Sequence, residues 1–392
     1  MASTPEASAI PKRRRYAPTA TKFLWAVLLM QGLLYFSGHF RWFWFNERKG
    51  YTVLIAVAAT AVVLVLFVLG AVASRLIGRK SQFGLSTLLL LILVMAIPLG
   101  WLGGEIDLAR RQRAAVAHIR GRGDFVSFDD QPFLARIGPN LFAMAVPQIG
   151  PPPYLERVLG QDLFHDVLTV SMDRVYDETL EGLKSLPRLR SLRITDATVT
   201  EDALKNLRGL RELRSLTIEF APYEVPNGDA GLTHLKDLTQ LEELHVRNID
   251  ATDAGLAHLR GLKRLRELTI GGRGITDQGL SHIAELKELT TLNVQSGYIT
   301  DRGLSYLVAL RELKSLSVYG EEITDAGLEK MQGLSRLESL DIQHTNVTDA
   351  GVETLKKFKQ LTSLSLFQTK VTAEGVKRLK EELPQCQVLL SW

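Results

Sequence analysis

His234, His258 and His282 recur 24 residues apart. In a stack of strands about 5 Å apart, that spacing would bring three imidazoles within reach of one metal ion. A second column, Asp177, Asp229, Asp253, Asp277, Asp301, Asp325 and Asp349, would set a line of carboxylates side by side. Such a line could bind cations, or each carboxylate could accept the free N–H groups at a helix start. The histidine column runs on as Tyr306, Lys330 and Thr354 beside regularly spaced leucines, so it reads as a solvated helix flank and no metal is expected there. No further acids accompany the Asp column, whereas a calcium site takes about six to eight oxygens. Capping is therefore the reading chosen.

Other chemistry is equally sparse. The chain holds no nucleophile elbow, P-loop or H-E-x-x-H helix. "GGRGIT" at 271–276 is glycine-rich but falls in an ordinary post-strand loop, and a phosphate cradle is not expected. Arg122-Gly123-Asp124 reads as a chance adhesion tripeptide, and in the glycosylation triplet Asn346-Val347-Thr348 the threonine already belongs to a repeat. The single cysteine, Cys386, excludes an internal disulfide and a Cys-based zinc cluster and is expected to be buried packing. Hence no catalytic residue and no cofactor are expected.

The elements that carry these columns repeat with the same period. Leu168, Leu192, Leu216, Leu244, Leu268, Leu292, Leu316, Leu340 and Leu364 each open an L-x-[IVL] element, with one 28-residue step among steps of 24. The partner column starts at Val170 and Ile194. Alternate residues of a strand face opposite ways, so both columns point into a core and the residue between them points out. The frame predicts a last strand at Val388–Leu390, hence about ten strands. Between strands runs T-D-A-G-L-x-x-L-x-x-L, whose every-third apolar residue suits an α- or 3₁₀-helical return and therefore parallel strands. A glycine column begins at Gly231 but holds Thr179 and Ala203 in the first repeats, so small size rather than positive φ is the requirement.

L-x-x-L-x-[IVL] followed by [IV]-T-D-A-G-L resembles the leucine-rich-repeat family over roughly residues 153–392. The resemblance implies a curved solenoid with its strands on the concave side. Where the family often has Asn or Cys after the strand, this chain has Ala197, Arg273, Gly297, Glu321, Thr345 and Thr369, and a regular Asn ladder is not expected. Together with "WFWFNERKG", "FGLSTLLLLILVMAIPLGWLG" and "PYLERVLGQDLFHDVLTV", the layout is similar to bacterial membrane-anchored proteins with such repeats.

Charge separates the two halves. Residues 1–152 hold 17 Lys and Arg against 7 Asp and Glu; residues 153–392 hold 30 against 36. A basic half with long apolar runs points to a membrane, and a mildly acidic repeat half argues against nucleic acid. Three stretches free of charged residues, Phe23–Phe40, Thr52–Ala73 and Gly84–Gly103, approach or reach the roughly 20 residues that cross a bilayer. No small-residue cleavage site follows the first, so a cleaved signal peptide is not favoured. Lys and Arg counted broadly tie at eight on each side. The count close to the spans and the first helix both favour an inside tail.

The expected fold is α/β, a leucine-rich-repeat solenoid of about ten parallel strands with helical returns, preceded by an all-α transmembrane region of three helices. Residues 1–22 are read as a basic cytoplasmic tail, 23–104 as the transmembrane helices, 105–152 as a juxtamembrane helix, short strand and Pro-rich linker, and 153–392 as the solenoid with end caps. Such a protein would sit in a bacterial cytoplasmic membrane with its repeats on the periplasmic side. The expected function is non-catalytic binding of a protein or envelope ligand through the concave strand face, without nucleic acid. Candidate contacts are His245, Arg247, Asn293, Gln295, Tyr319, Asp341, Gln343 and Phe367, with Phe220 and Tyr223 beside the 28-residue step. A homotypic envelope scaffold is the alternative. An unrecognised enzyme or transporter is the third reading, and spans free of ionisable residues other than His39 argue against transport.

Overall fold

The structure is a computed structural model and describes residues 19–40, 51–76, 85–128, 166–222 and 228–390. The aromatic stretch at 41–50, the Pro-rich segment and Tyr223 lie outside the described residues. Two compact units are present: Met1–Arg110 with Gln148–His165, and Arg111–Pro147 with Asp166–Trp392.

The first unit holds helices α1 (Thr19–Phe40), α2 (Tyr51–Leu76) and the first part of α3 (Leu85–Gly121). Among the described residues one helix, Leu88–Gly121, is long and apolar enough to cross a membrane; shorter apolar stretches cover Leu24–Leu33 and Val53–Leu69. The bundle is apolar outside as well as in its Leu24–Val27–Val94 core. Leu29 is 72% exposed, and Val62, Leu69 and Leu89 also face outward. Gln31, in contrast, is 2% exposed and Thr60 is buried. Gln31 Nε2 donates to Thr60 Oγ1 at 2.8 Å and to the Val94 carbonyl at 3.1 Å, so one side chain of α1 ties α2 to α3. The Val94 carbonyl needs that donor because the residue four positions on is Pro98, which has no N–H to give it.

That arrangement predicts a coupling. Gln31→Leu is expected to weaken the bundle by about 1–2 kcal/mol. The loss should be smaller in a Pro98→Ala background, where position 98 supplies its own N–H to Val94. Reversible unfolding in mixed micelles measures both, and equal losses in the two backgrounds would refute the pairing.

In the second unit eleven strands form one sheet in strict chain order. They are β1 (Phe125–Phe128), β2 (Val167–Asp173), β3 (Ser191–Ala197), β4 (Ser215–Phe220), β5 (Glu243–Arg247), β6 (Glu267–Gly271), β7 (Thr291–Gln295), β8 (Ser315–Val318), β9 (Ser339–Asp341), β10 (Ser363–Ser365) and β11 (Gln387–Leu389). From β2 to β11 all neighbours are parallel. The eleventh strand beyond the expected ten is β1, which pairs antiparallel with β2 and comes from the segment read as juxtamembrane. Ala115, Val116 and Ile119 at the end of α3 pack with Val126 on the same core, covering the first strand's apolar side. Arg122-Gly123-Asp124 is a structural joint: Gly123 has φ +87, Arg122 Nη2 donates to the Arg174 carbonyl at 2.6 Å, and Asp124 Oδ1 accepts from the Asp173 N–H at 3.0 Å.

Leu244, Leu268 and Leu292 sit opposite one another, as do Val246, Ile270 and Val294; all are buried. The first step departs from the expected frame. Val170 pairs with Leu192 and Met172 with Ile194, so Val170 and Met172, not Leu168 and Val170, continue the two core columns. β1 and the α3 end replace a preceding repeat here, and the first return is shorter by two residues. Returns combine a short α turn with 3₁₀ geometry, as at Asp253–Ala257 followed by His258–Gly261. In 3₁₀ geometry residues three apart eclipse, which is why leucine recurs every third position.

The Asp column does not do what the sequence suggests. Five returns are capped by the preceding threonine: Thr276 Oγ1 accepts from the Gln278 N–H at 3.2 Å, and Thr252, Thr300, Thr324 and Thr348 act alike. Asp reaches forward along the stack instead. Asp277 Oδ1 accepts the Thr300 N–H at 2.9 Å and Oδ2 accepts its hydroxyl at 2.8 Å. The same pair of bonds links Asp229, Asp253, Asp301, Asp325 and Asp349 to the threonine 23 residues on. Each threonine hydroxyl thus donates to the previous repeat while its lone pair caps its own helix. The N–H and hydroxyl of Thr372, with Arg378 beside them, hold the Asp349 carboxyl below the usual carboxylate range. Asp177 and Thr200 form an earlier rung. At the 28-residue step Glu201 and Gly228 occupy the two positions, and glycine has no hydroxyl to donate.

The glycine column follows from this ladder. A Cβ on Gly279 would lie 2.5 Å from Asp253 Oδ1, and one on Gly303 would run into Asp277 Oδ1. Neither glycine has positive φ, so room for the neighbouring carboxylate is the reason for small size.

Candidate binding face

Strand alternation turns one side of each parallel strand into the core and leaves the other side free. On the free side His245, Asn293 and Asp341 lie in one row of the sheet. Arg247 and Gln295 belong to the next row, and Tyr319, one residue past β8, with Gln343 and Phe367, two past β9 and β10, stand in the positions that continue it. Eight of the expected contact residues therefore share a face. Phe220 does not: it is 1% exposed and belongs to the core, because it continues the alternation that buries Leu216 and Ile218 in β4. Tyr223 lies outside the described residues.

The face is internally bonded. His245 Nδ1 lies 2.9 Å from Thr269 Oγ1, and its Nε2 lies 3.7 Å from Glu267 Oε2. Burial holds this imidazole below its ordinary pKa against the upward pull of Glu267 and Glu243, so the Glu267 contact becomes an ion pair only on protonation. Ser317 Oγ and Gln343 Nε2 both donate to Asp341 Oδ2, at 3.2 and 3.0 Å. Asn293 Oδ1 and Asp341 Oδ1 have no donor.

At the C-terminal ends of β5 to β9 the face opens into a depression of about 690 Å³. Its shape comes from a change of loop type. Asn248 and His344 follow their strands in the left-handed conformation, with φ of 56 and 55. The equivalent residues of the three repeats between them, Gly272, Ser296 and Gly320, are not left-handed. Cβ atoms at Gly272 and Gly320 would collide with the backbone of Ala251 and Ile299, so these glycines let adjacent loops approach closely. The Gly272 N–H donates to the Gln295 carbonyl at 3.1 Å and the Arg273 N–H to Asp250 Oδ1 at 2.9 Å; those donors serve the fold, not a phosphate.

Gln295, Tyr319 and Gln343 line the depression, and so do Asn248, Arg273, Tyr298, Glu321 and His344, which sequence reasoning did not single out. Tyr298 is 62% exposed. A signal was present: GRG, SGY and GEE at 272–274, 296–298 and 320–322 each hold a glycine, where NID and HTN stand at 248–250 and 344–346. Among the described residues no three His, Cys, Asp or Glu side chains gather in a way that could hold a metal. His234 lies instead against Arg208, with Nδ1 2.7 Å from the guanidinium. Cys386 is buried, and burial raises its thiol pKa.

A family model described as Leucine Rich repeat matches residues 335–356. No curated protein matches the chain. Among solved structures, internalin C2 from Listeria monocytogenes is 19% identical, with 57% of this chain and 81% of that chain covered at a TM-score of 0.36. The plant peptide hormone receptor RGFR1 in complex with RGF2 is 15% identical, with 57% of this chain and 33% of that chain covered at a TM-score of 0.35. The matched segment runs from the return before β9 through β9 and the helical return Asp349–Leu355, 22 residues of the 24-residue period that recurs along the parallel sheet, so the chain carries a leucine-rich repeat within a sheet built on that period.

Proposed function

We propose that this protein is a membrane-anchored, non-catalytic binding module whose ligand docks on the free face of the sheet, centred on the depression at β5 to β9. The observation that carries the reading is the coincidence of an exposed aromatic, Tyr298, with the change of loop type that opens this depression. Exposed aromatic and Arg side chains around a concavity are the groups that dominate binding energies. Anchoring is supported by the apolar outside and the buried Gln31–Thr60 pair of the helical unit, since interhelical polar contacts with apolar surroundings suit a lipid solvent.

Photo-crosslinking side chains at Gln295 and Gln343, compared with Gln278 and Lys330 on the returns, test the docking face. Adducts from the first pair alone are expected. Adducts from the returns alone would overturn the reading, and adducts of twice the chain mass would favour the homotypic scaffold.

Sidedness is a separate expectation. With an inside tail and three spans, protease added to intact spheroplasts should remove the repeats and spare the spans. Protection until the membrane is broken would place the ligand in the cytoplasm.

A further inference from the structure

The free face changes character along the sheet. Across β3 to β6 its outward positions include Arg193, Glu219, Glu243, Arg247 and Glu267. Across β7 to β10, with the residues just past β8 to β10, they hold one charged group, Asp341; the others are Ser, Thr, Asn or Gln apart from Tyr319 and Phe367. That lone carboxylate is absorbed, since it takes the Ser317 and Gln343 donors. Those bonds leave the Gln343 amide oxygen as an acceptor; Ser317 Oγ also lies 3.3 Å from the Tyr319 hydroxyl, and the Asn293 Oδ1 and Asp341 Oδ1 atoms that lack donors are buried beneath the face. The hydroxyl and amide groups of this stretch suit a ligand rich in hydroxyl donors and acceptors, and the depression beside it adds Asp250 and Glu321 as further acceptors and Arg273 as a donor. Tyr298 and Tyr319 offer aromatic faces at the same depression, in a lining that holds one aliphatic side chain, Ile249.

From this we infer that the depression and the adjoining β7–β10 face bind a neutral glycan chain, with sugar hydroxyls donating to the amide and hydroxyl floor and a pyranose C–H face stacked on Tyr298. The inference rests on the docking face proposed above and names its ligand class.

The probes are chitohexaose, cellohexaose and maltohexaose, with hexalysine as the charged comparison, against the full chain in a detergent without sugar headgroups. At least one hexasaccharide is expected to bind. Tyr298→Ala should weaken it about tenfold or more. Gly297→Trp should abolish it, because a Cβ at Gly297 meets nothing within 4 Å and the indole can fill the depression without disturbing the fold. Unchanged thermal melting of both variants accompanies the expected result. Binding that neither variant alters, preference for hexalysine, or no binding of the three sugars would each overturn the glycan assignment. In the last case, crosslinks to a protein from Gln295 or Gln343 leave the docking face standing, whereas crosslinks from the returns alone remove both.

Discussion

Leu268→Ala is expected to lower the stability of the repeat unit by about 2–5 kcal/mol, the range for buried leucine truncations. Leu268 is wholly buried in β6 and pairs in register with Leu244 and Leu292. Its side chain therefore belongs to two repeat-to-repeat interfaces at once. In a solenoid each repeat is held by its own packing and by its two neighbours, so a cavity here weakens both junctions. The shift should appear as a lower denaturant midpoint. If the junctions weaken enough to separate, the transition also broadens, because long repeat arrays lose two-state behaviour. A midpoint close to that of the unaltered chain would mean that Leu268 does not face the core.

Asp277→Ala should cost about 1–3 kcal/mol, the penalty for leaving buried or half-buried partners unsatisfied. Both lost bonds come from one residue, the N–H and hydroxyl of Thr300. Asp277→Asn should cost less, because the amide oxygen can still accept the Thr300 N–H. The glycine of the next repeat supplies a sharper test. A methyl at Gly303 would collide with Asp277 Oδ1, so Gly303→Ala should destabilise by about 1–3 kcal/mol. Its cost should fall when Asp277→Ala has already removed the carboxylate. A double-mutant cycle reads that coupling directly, and strict additivity would show that the carboxylate does not set the glycine column. Ala203 follows Asp177 in the corresponding places and the Asp177–Thr200 rung is intact. The return there is 3₁₀ throughout, Glu201–Leu207, unlike the α turn that begins at Asp301.

Much of this was legible from residue order alone. Hydrophobic columns at Leu244 and Val246 and their counterparts one period on define the strands, because a strand side chain must alternate and a half-buried strand must keep one parity apolar. The parity that buries Leu268 and Ile270 also frees His245, Asn293 and Gln295. The every-third leucines declare their returns for the same reason, and the tolerance of Ala203 already separated small size from positive φ. What residue order could not declare were partners a full repeat away. Asp277 stands at a helix start in the sequence, and nothing in a 24-residue period says whether its carboxylate turns to its own N–H groups or to Thr300 in the next repeat. Only stacking decides, since it sets the Thr300 N–H against the carboxylate while Thr276 caps the Gln278 N–H. Tertiary packing likewise set the first strand's frame at Val170 and Met172 and recruited β1. The depression depends on three adjacent loops approaching closely enough to exclude a Cβ at Gly272 and Gly320. That approach is a property of neighbouring backbones, and no single repeat contains it.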